Sequence, residues 1–216
     1  MKNCDKYKEF LITGEWHVHT NYTDGKNSIH EICRKAIEVN IPLICFTEHV
    51  SKESSYDYNK FIYDIKEARN KFDQLIIISG NETKILPSGE LNITKPILRN
   101  AEYIGVAFHS FPNDINLFYE SLIKVFNNYA IDTWMHPGLF FKKINEIIPD
   151  SLLKSIFEIM REKRIMLEIN KKYDLPPKKW IDKARIYGVN FVRGGDIHSI
   201  ENLKPYNEFT KFRFLI

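Results

Sequence analysis

Short apolar segments alternate with longer amphipathic ones along the whole chain, and this alternation restricts the fold more than any other feature of the sequence. Strand-like segments, rich in β-branched and aromatic residues, lie near residues 15–19, 42–47, 75–80, 103–108, 131–135, 165–169 and 189–194. Helical periodicity is present near residues 28–39, 58–72, 113–127, 149–163 and 178–187. Because most of the strands are continuously apolar, we expect an α/β fold in which helices cover a parallel sheet.

The length of the chain narrows this expectation to a barrel of seven strands. A chain of 216 residues is long enough for one sizeable core but short for two. A complete (β/α)8 barrel takes about 250 residues, so the alternation predicts a smaller relative of it, formed by residues 1–216 as a single domain. Residues 85–93 interrupt the alternation and are predicted to form a hairpin with its turn at 87–89.

Charge, hydropathy and cysteine usage exclude several classes of protein. The 31 basic and 28 acidic residues give a net charge of +3, too small to indicate a nucleic-acid surface. No apolar run approaches the roughly 18 residues of a membrane helix, and the first residues lack the apolar stretch of a signal peptide. Cys4, Cys33 and Cys45 show no CxxC spacing, which argues against disulfides and a thiolate zinc site. We expect a cytoplasmic protein with no membrane partner, in which Cys33 and Cys45 are core residues.

Six of the seven histidines fall where predicted strands end. They are His17, His19, His49, His109, His136 and His198, and acidic residues accompany them at Asp24, Glu82 and Asp196. The carboxyl ends of parallel strands form the face on which active sites of α/β proteins are built. His30 lies within a predicted helix, and we interpret it as a surface residue.

Two i, i+2 pairs indicate a metal site. Alternate side chains of a strand point the same way, so His17 can converge with His19, and Asp196 with His198. Imidazole and carboxylate together suit zinc, manganese or iron. Nine candidate ligands exceed the needs of one ion, so two or three divalent ions that share a bridging carboxylate are predicted. Glu48 faces away from its neighbour, and we expect it to support a ligand or to pair within the barrel wall.

The motifs that carry these residues resemble those of the PHP (polymerase and histidinol phosphatase) family. They are HVHTNYTDG (17–25), FTEH (46–49), GNETKILPSGELNI (80–93), GVAFHS (105–110), WMHP (134–137), LEIN (167–170) and GGDIHS (194–199). The resemblance implies a distorted (β/α)7 TIM-like barrel and a three-metal centre. Its implied ligand sets are His17, His19, Glu82 and Asp196 for the first ion, Asp24, His49 and His198 for the second, and Glu82, His109 and His136 for the third.

The resemblance also implies a metal-dependent phosphoesterase. A hydroxide held between metal ions would attack phosphorus beside Asp24 and His198, and Asp24 or a bound water would protonate the leaving group. Many members carry an arginine soon after the LEIN segment to grip phosphate, whereas this chain offers Lys171 or Lys172. Arg193 is a further candidate phosphate ligand, with pairing to a helix carboxylate outside the barrel as the alternative.

Three functions remain open from the sequence. We favour hydrolysis of a small phosphomonoester of the histidinol phosphate type. Residues 85–93, together with DLPP and LEIN, look more like the PHP modules of family X DNA polymerases, which favours action on nucleic-acid 3′ ends or nucleotides. The small net charge and the absence of a polymerase portion weaken that second hypothesis. The third is a metal-binding barrel without turnover, and the presence of candidate ligands at every motif argues against it.

Overall fold

Seven parallel strands form a nearly closed barrel in the computed structural model, which describes residues 3–53 and 56–205. The strands are β1 (Glu15–Val18), β2 (Leu43–Val50), β3 (Ile76–Lys84), β4 (Tyr103–Ala107), β5 (Thr133–Trp134), β6 (Met166–Asn170) and β7 (Phe191–Gly194). Each strand pairs in parallel with the next in chain order. This architecture confirms the predicted distorted (β/α)7 TIM-like barrel.

The barrel closes between its first and last strands through a very short ladder. Val18 at the end of β1 bridges Ile197, which follows β7. The backbone N–H of His19 donates to the Ile197 carbonyl at 2.8 Å, and the Ile197 N–H donates to the His17 carbonyl at 2.9 Å. The closure therefore places the HxH motif (His17 and His19) beside the DxH motif (Asp196 and His198), although about 180 residues separate them in the chain.

Helices follow most of the strands and cover the outside of the barrel. They are α1 (Asn3–Lys6), α2 (Ile29–Glu38), α3 (Tyr58–Lys71), α4 (Lys95–Asn100), α5 (Ile115–Asn128), α6 (Leu139–Ile144), α7 (Asp150–Lys163) and α8 (Lys178–Ile186), with 3-10 turns at Lys8–Phe10 and Ile200–Asn202. The five predicted helices are present. The sequence did not predict α1, α4 and α6, because four to six residues make too few turns to show periodicity. Within 3–53 and 56–205, no helix has the length and apolarity needed to cross a membrane.

The predicted hairpin leaves the barrel directly after β3. Ile85 bridges Leu91 in antiparallel fashion, and the Leu86 N–H donates to the Glu90 carbonyl at 2.9 Å. Gly89 has a φ of 70°, a conformation that glycine adopts without a Cβ penalty. The turn residues in the sequence therefore mark this excursion correctly.

Apolar side chains fill the amino-terminal end of the barrel interior. Ile44 and Phe46 pack outward against the helices, so the alternate residues Leu43 and Cys45 face inward, where they cluster with Trp16. Cys33 and Cys45 are buried free thiols, as predicted. The side chain of Cys4 lies outside the described part of the structure. The histidines at the strand ends therefore lie at the opposite, carboxyl end of the barrel, away from this apolar filling.

An aromatic cluster between the barrel and α5 provides a test of the packing. The ring of Phe118 is 1% exposed and contacts Phe108, Phe140 and Trp134. We expect Phe118→Ala to lower the free energy of unfolding by about 3–5 kcal/mol, because it leaves a cavity. Tyr63→Ala, at a ring that is 60% exposed, is the control and should change it by less than about 0.5 kcal/mol. Urea unfolding measures both, and equal effects would contradict this packing.

Candidate metal centre

The carboxylate of Glu82 is the point on which the histidines converge. Glu82 lies in β3 and is 2% exposed. Five imidazole nitrogens approach its two oxygens, namely His136 Nε2 at 2.6 Å, His109 Nε2 at 3.0 Å, His49 Nδ1 at 3.1 Å, His19 Nε2 at 3.3 Å and His17 Nε2 at 3.4 Å. These histidines come from four different strands or from the segments that follow them. One carboxylate therefore connects most of the predicted ligands.

Two strands are longer than the sequence indicated, and their extra residues carry ligands. The predicted strands end at residues 47 and 80, whereas β2 continues to Val50 and β3 to Lys84. His49 consequently lies opposite Glu82 in the β2–β3 register. Backbone hydrogen bonding of the sheet thus fixes the separation of these two side chains, which a loop would leave free.

The HxH and DxH motifs meet at one side of Glu82. His17 Nε2 and His19 Nε2 are 3.0 Å apart. Asp196 Oδ1 lies 3.9 Å from His17 Nε2 and 3.8 Å from His19 Nε2. Ligand atoms around one tetrahedral zinc ion, with bonds of about 2.0–2.1 Å, are separated by about 3.3 Å. The spacing of these atoms fits a shared cation.

A second group forms around Asp24, at the exposed edge of the cluster. Asp24 Oδ2 lies 3.1 Å from His198 Nε2 and 3.4 Å from His49 Nε2. Burial opposes the ionisation of Asp24, but His49, His19 and His198 lower its pKa below the usual range. The ionised form is therefore favoured, which suits a ligand better than the proton donor considered from the sequence.

Glu48 holds the loop that presents Asp24. Its carboxylate is fully buried and accepts a hydrogen bond from the Thr20 N–H at 2.7 Å and another from the Thr23 hydroxyl. Burial raises the pKa of Glu48 to about 7. Glu48 thus supports a neighbouring segment rather than joining the ligands, which agrees with the role expected for it.

Two candidate ligands occupy a backbone conformation that L-residues rarely adopt. His136 has a φ of 30° and Asp196 a φ of 53°. Left-handed non-glycine residues cost about 1–3 kcal/mol and cluster at functional sites. This conformation turns both side chains toward the cluster immediately after β5 and β7.

Burial and neighbouring charges give the groups of the cluster different protonation states. Burial alone would raise the pKa of Glu82, but His17, His109 and His136 bring it well below the usual range. Burial likewise opposes ionisation of Asp196, whose pKa falls to about 2 because of His17 and other histidines. Burial lowers the pKa of His19 to about 4. At neutral pH the carboxylates are charged and His19 is neutral, which are the states that bind cations.

Three ring nitrogens test whether the cluster suits metal ions. His19 Nδ1, His109 Nε2 and His136 Nδ1 are buried and lack a hydrogen-bond partner. His109 Nε2 approaches Glu82 closely but without hydrogen-bond geometry. Buried polar atoms are normally paired. Two of these nitrogens lie beside carboxylates, His19 Nδ1 at 3.8 Å from Asp24 Oδ1 and His109 Nε2 at 3.0 Å from Glu82 Oε1, as a site for cations requires. The donor set, imidazole and carboxylate, fits zinc, manganese or iron.

All nine candidate ligands therefore lie in one cluster at the carboxyl end of the barrel. Three groups have ligand atoms close enough to share an ion, namely His19, Asp24, His49 and His198; His17, His19 and Glu82; and His49, Glu82 and His109. His19 and His49 each belong to two of these groups, whereas the resemblance assigned each of them to a single ion. The distribution of ligands over three ions stays a prediction. His30 lies away from the cluster on α2, with its ring edge against Phe72.

The phosphate role considered for Arg193 needs correction. Its side chain is fully buried, with Nε 3.1 Å from Glu15 Oε2 and NH1 and NH2 donating to the carbonyls of Thr13 and Lys204. A guanidinium enclosed in this way cannot meet a phosphoester. The alternative, pairing with a carboxylate, is closer to the structure, but the partner lies on β1 and not on a helix.

The two lysines after β6 do reach the site. Lys172 Nζ lies 3.1 Å from Asp196 Oδ1 and 3.4 Å from His198 Nδ1. Lys171 and Lys172 line a cavity of about 330 Å³ together with Asp196 and His198. Lys204, which the sequence did not single out, lines the same cavity. The cavity is thus basic on one side and opens onto candidate ligands on the other.

Sequence reasoning missed two supporting residues. Glu168 is buried in β6, and its Oε1 lies 2.5 Å from His17 Nδ1. The signal was a carboxylate inside the apolar segment IMLEI (165–169). Lys143 donates to the His109 carbonyl at 2.9 Å. No sequence pattern connects a lysine of α6 to that loop.

Comparison with known proteins agrees with this geometry. The family model for the PHP domain matches residues 15–172. The chain belongs to the PHP family. Its residues are 26% identical over 205 positions to the DNA polymerase/3′-5′ exonuclease PolX of Bacillus subtilis (strain 168), covering 89% of this chain and 35% of that protein. The chain thus spans about a third of that curated relative.

Two solved structures share the fold over nearly the whole chain. The histidinol phosphate phosphatase of Lactococcus lactis, complexed with zinc, L-histidinol and phosphate, has a TM-score of 0.72 at 16% identity, covering 95% of this chain and 93% of that chain. The hisK protein of Listeria monocytogenes has a TM-score of 0.71 at 15% identity, covering 88% and 96%. Both similarities confirm the fold expected for a member of the PHP family.

Proton release on metal binding tests the electrostatics of the cluster. Burial alone would lower the pKa of His17, but Glu168, Asp196 and Glu82 raise it well above the usual range. His17 therefore carries two ring protons at neutral pH and must lose one to become a ligand. We expect zinc binding to release about one proton or more per chain, with affinity rising as pH rises.

Calorimetry in buffers of different ionisation enthalpy measures this release. His30→Gln, outside the cluster, is the control and should release the same number. Zinc binding without proton release, and with an affinity that does not change between pH 6 and 8, would show that the pKa of His17 is not raised.

Proposed function

We propose that the chain is a phosphomonoesterase that acts on a small phosphorylated substrate with two or three divalent ions, zinc, manganese or iron. The observation that carries the proposal is the convergence of five imidazoles on the Glu82 carboxylate beside a lysine-lined cavity. The proposed ligands are His17, His19, Asp24, His49, Glu82, His109, His136, Asp196 and His198. We further propose that residues 1–216 act as one PHP domain, and a cytoplasmic location stays a prediction.

The chain's own side chains would divide the work between binding and orientation. Bound divalent ions would supply an activated water at neutral pH and neutralise the oxygens of the phosphoryl group. Asp24 and His198 face the solvent edge of the cluster, where a phosphoester would enter. With an activated water as the nucleophile, the reaction would need no nucleophilic side chain.

Lysines would hold the phosphate. Burial alone would lower the pKa of Lys172, but Asp196 raises it above the usual range, so its ammonium group is charged at neutral pH. Together with Lys171 and Lys204 it concentrates positive charge on the cavity beside the candidate ligands. Ammonium groups act as point charges and do not impose the bidentate geometry of arginine. The site would thus tolerate phosphate in more than one orientation.

A small substrate is favoured by the dimensions of this cavity. A volume of about 330 Å³ lies at the lower end of the range for small-molecule sites. The structurally similar phosphatase of Lactococcus lactis was solved with zinc, L-histidinol and phosphate. We therefore place histidinol phosphate and related small phosphomonoesters first among candidate substrates.

A groove that Tyr173 connects to the cluster favours a second candidate, a nucleotide or nucleic-acid 3′ end. The groove has a volume of about 800 Å³ and is lined by Tyr173, Trp180, Lys142 and Lys178, among others. The ring of Tyr173 meets that of His136 edge-on, with 5.7 Å between centroids. Aromatic rings and lysines together suit stacked bases and phosphates. The similarity to the polymerase and exonuclease of Bacillus subtilis supports this candidate.

Hydrolysis assays with matched substrates distinguish the candidates. Metal-replete protein should release phosphate from histidinol phosphate and p-nitrophenyl phosphate faster than from a 3′-phosphorylated oligonucleotide. Removing the metal with a chelator should abolish the activity, and added Zn²⁺ or Mn²⁺ should restore it. Release from the oligonucleotide alone would favour the second candidate. No release from any ester by metal-replete protein would support a barrel without turnover.

A change at the bridging carboxylate tests the metal centre itself. We expect Glu82→Gln to reduce bound metal by at least about half and phosphoester hydrolysis by about 100-fold or more, because it removes a charge shared by several ligands. Glu102→Gln is the control, since that carboxylate accepts from the Ser79 hydroxyl and lies outside the cluster. Elemental analysis and the same assays measure both. Unchanged metal content and turnover in Glu82→Gln would refute the bridging role.

A further inference from the structure

The buried carboxylate of Glu168 joins two candidate ligands that lie on different strands. Its Oε1 is 2.5 Å from His17 Nδ1. Its Oε2 accepts hydrogen bonds from the backbone N–H of His136 and from Asn170 Nδ2, the latter at 3.0 Å. Glu168 is 1% exposed. It therefore acts on the cluster from inside the barrel wall, where no substrate can reach it.

The contact with His17 determines which ring nitrogen faces the cluster as a ligand. A carboxylate only accepts hydrogen bonds, so Nδ1 of His17 must carry a proton. The nitrogen that can lose its proton is then Nε2, which lies 3.0 Å from His19 Nε2 and 3.4 Å from Glu82 Oε2. A histidine that donates to a carboxylate is fixed in both tautomer and ring orientation.

The second contact acts on the strained backbone of His136. The His136 residue has a φ of 30°, and its N–H is satisfied by Glu168 Oε2. A buried backbone N–H without a partner would cost about 1–3 kcal/mol. Glu168 thus stabilises the left-handed conformation that directs the His136 ring toward Glu82.

A glycine on the neighbouring strand makes room for this carboxylate. Gly194 on β7 lies so close to Glu168 that an added Cβ would overlap with Oε1 and Cδ. The φ of Gly194 does not require glycine, since it is outside the left-handed region. Space for Glu168 therefore accounts for a small residue at position 194.

We propose that Glu168 is a positioning residue that holds His17 in its Nδ1–H tautomer and His136 in its left-handed conformation, so that both present nitrogen lone pairs to the same metal cluster. The proposal rests on the metal-binding part of the proposed function and not on any substrate. Its tests measure metal affinity and protonation, so they stand even if no phosphoester is hydrolysed.

Glu168→Gln reverses the polarity of one contact without changing the size of the side chain. Two donors, the His136 N–H and Asn170 Nδ2, face Oε2, so the amide oxygen of glutamine would occupy that position. The amide NH₂ would then face His17 Nδ1 and favour the Nε2–H tautomer. That tautomer places a proton on the nitrogen needed as a ligand. We expect zinc affinity to fall about 10–100-fold.

Competition with a chromophoric chelator measures the zinc affinity of each variant. Asp132→Asn is the matched control, because Asp132 is also buried and accepts from a backbone N–H, that of Ile104, at 2.8 Å. It should bind zinc as the unaltered protein does. Undiminished zinc affinity in Glu168→Gln would overturn the proposal. An equal loss of affinity in both variants would also overturn it, because the loss would then follow from changing any buried carboxylate.

Two further measurements do not depend on the folding of Glu168→Gln. Gly194→Ala keeps the carboxylate but displaces it, and should weaken zinc binding in the same direction. In the zinc-loaded, unaltered protein, long-range ¹H–¹⁵N NMR of the imidazoles should show the proton of His17 on Nδ1. A proton on Nε2 of His17, or full zinc affinity in folded Gly194→Ala, would contradict the proposal. A protein that binds zinc as expected but hydrolyses no ester would refute the proposed function alone.

Discussion

Five imidazole rings converge on one buried carboxylate, that of Glu82, and the rest of the site depends on that constraint. Burial penalises every charge, and the mutual contacts push pKa values apart, down to about 4 for His19 and about 2 for Asp196, and upward for His17. Several nitrogens are left without donors or acceptors. Divalent cations at the cluster would satisfy the lone pairs and charges together, so the arrangement is one that favours loading with metal.

The barrel supplies the rigidity that such a cluster needs. Ligands are carried inside β2 and β3, at the closure between β1 and the segment after β7, and at left-handed residues that follow β5 and β7. Behind them, Glu48 fixes the loop of Asp24 and Glu168 fixes His17. Apolar residues fill the other end of the barrel. The site is therefore supported by sheet hydrogen bonds and buried carboxylates rather than by flexible loops.

Much of this arrangement could be predicted from the sequence, because it depends on the spacing of apolar residues and on the order of strands and helices along the chain. Alternation of apolar segments indicated seven parallel strands, and the i, i+2 spacing of His17 and His19 indicated a shared direction. The ends of β2 and β3 were not predicted, because Glu48, His49 and Glu82 are polar and look like loop residues. Pattern alone could not show that a polar strand end is buried by its neighbours across the barrel.

Contacts between residues that are far apart in the sequence could not be predicted either. The partner of Arg193 is Glu15, almost 180 residues away, and no spacing rule relates the two. Glu168 looked like one polar residue in a buried strand until the barrel placed His17 against it. Lys143 on α6 donates to the carbonyl of His109, and no sequence pattern relates these two residues. These contacts form only when the barrel folds and brings the distant segments together.

Anomalous diffraction from crystals of the zinc-loaded protein, recorded at the zinc edge, tests the central claim most directly. The claim predicts two or three peaks around the carboxylate of Glu82, one of them within about 2.0–2.1 Å of both His17 Nε2 and His19 Nε2. A single peak, or peaks remote from Glu82, would contradict a shared metal cluster built on that carboxylate.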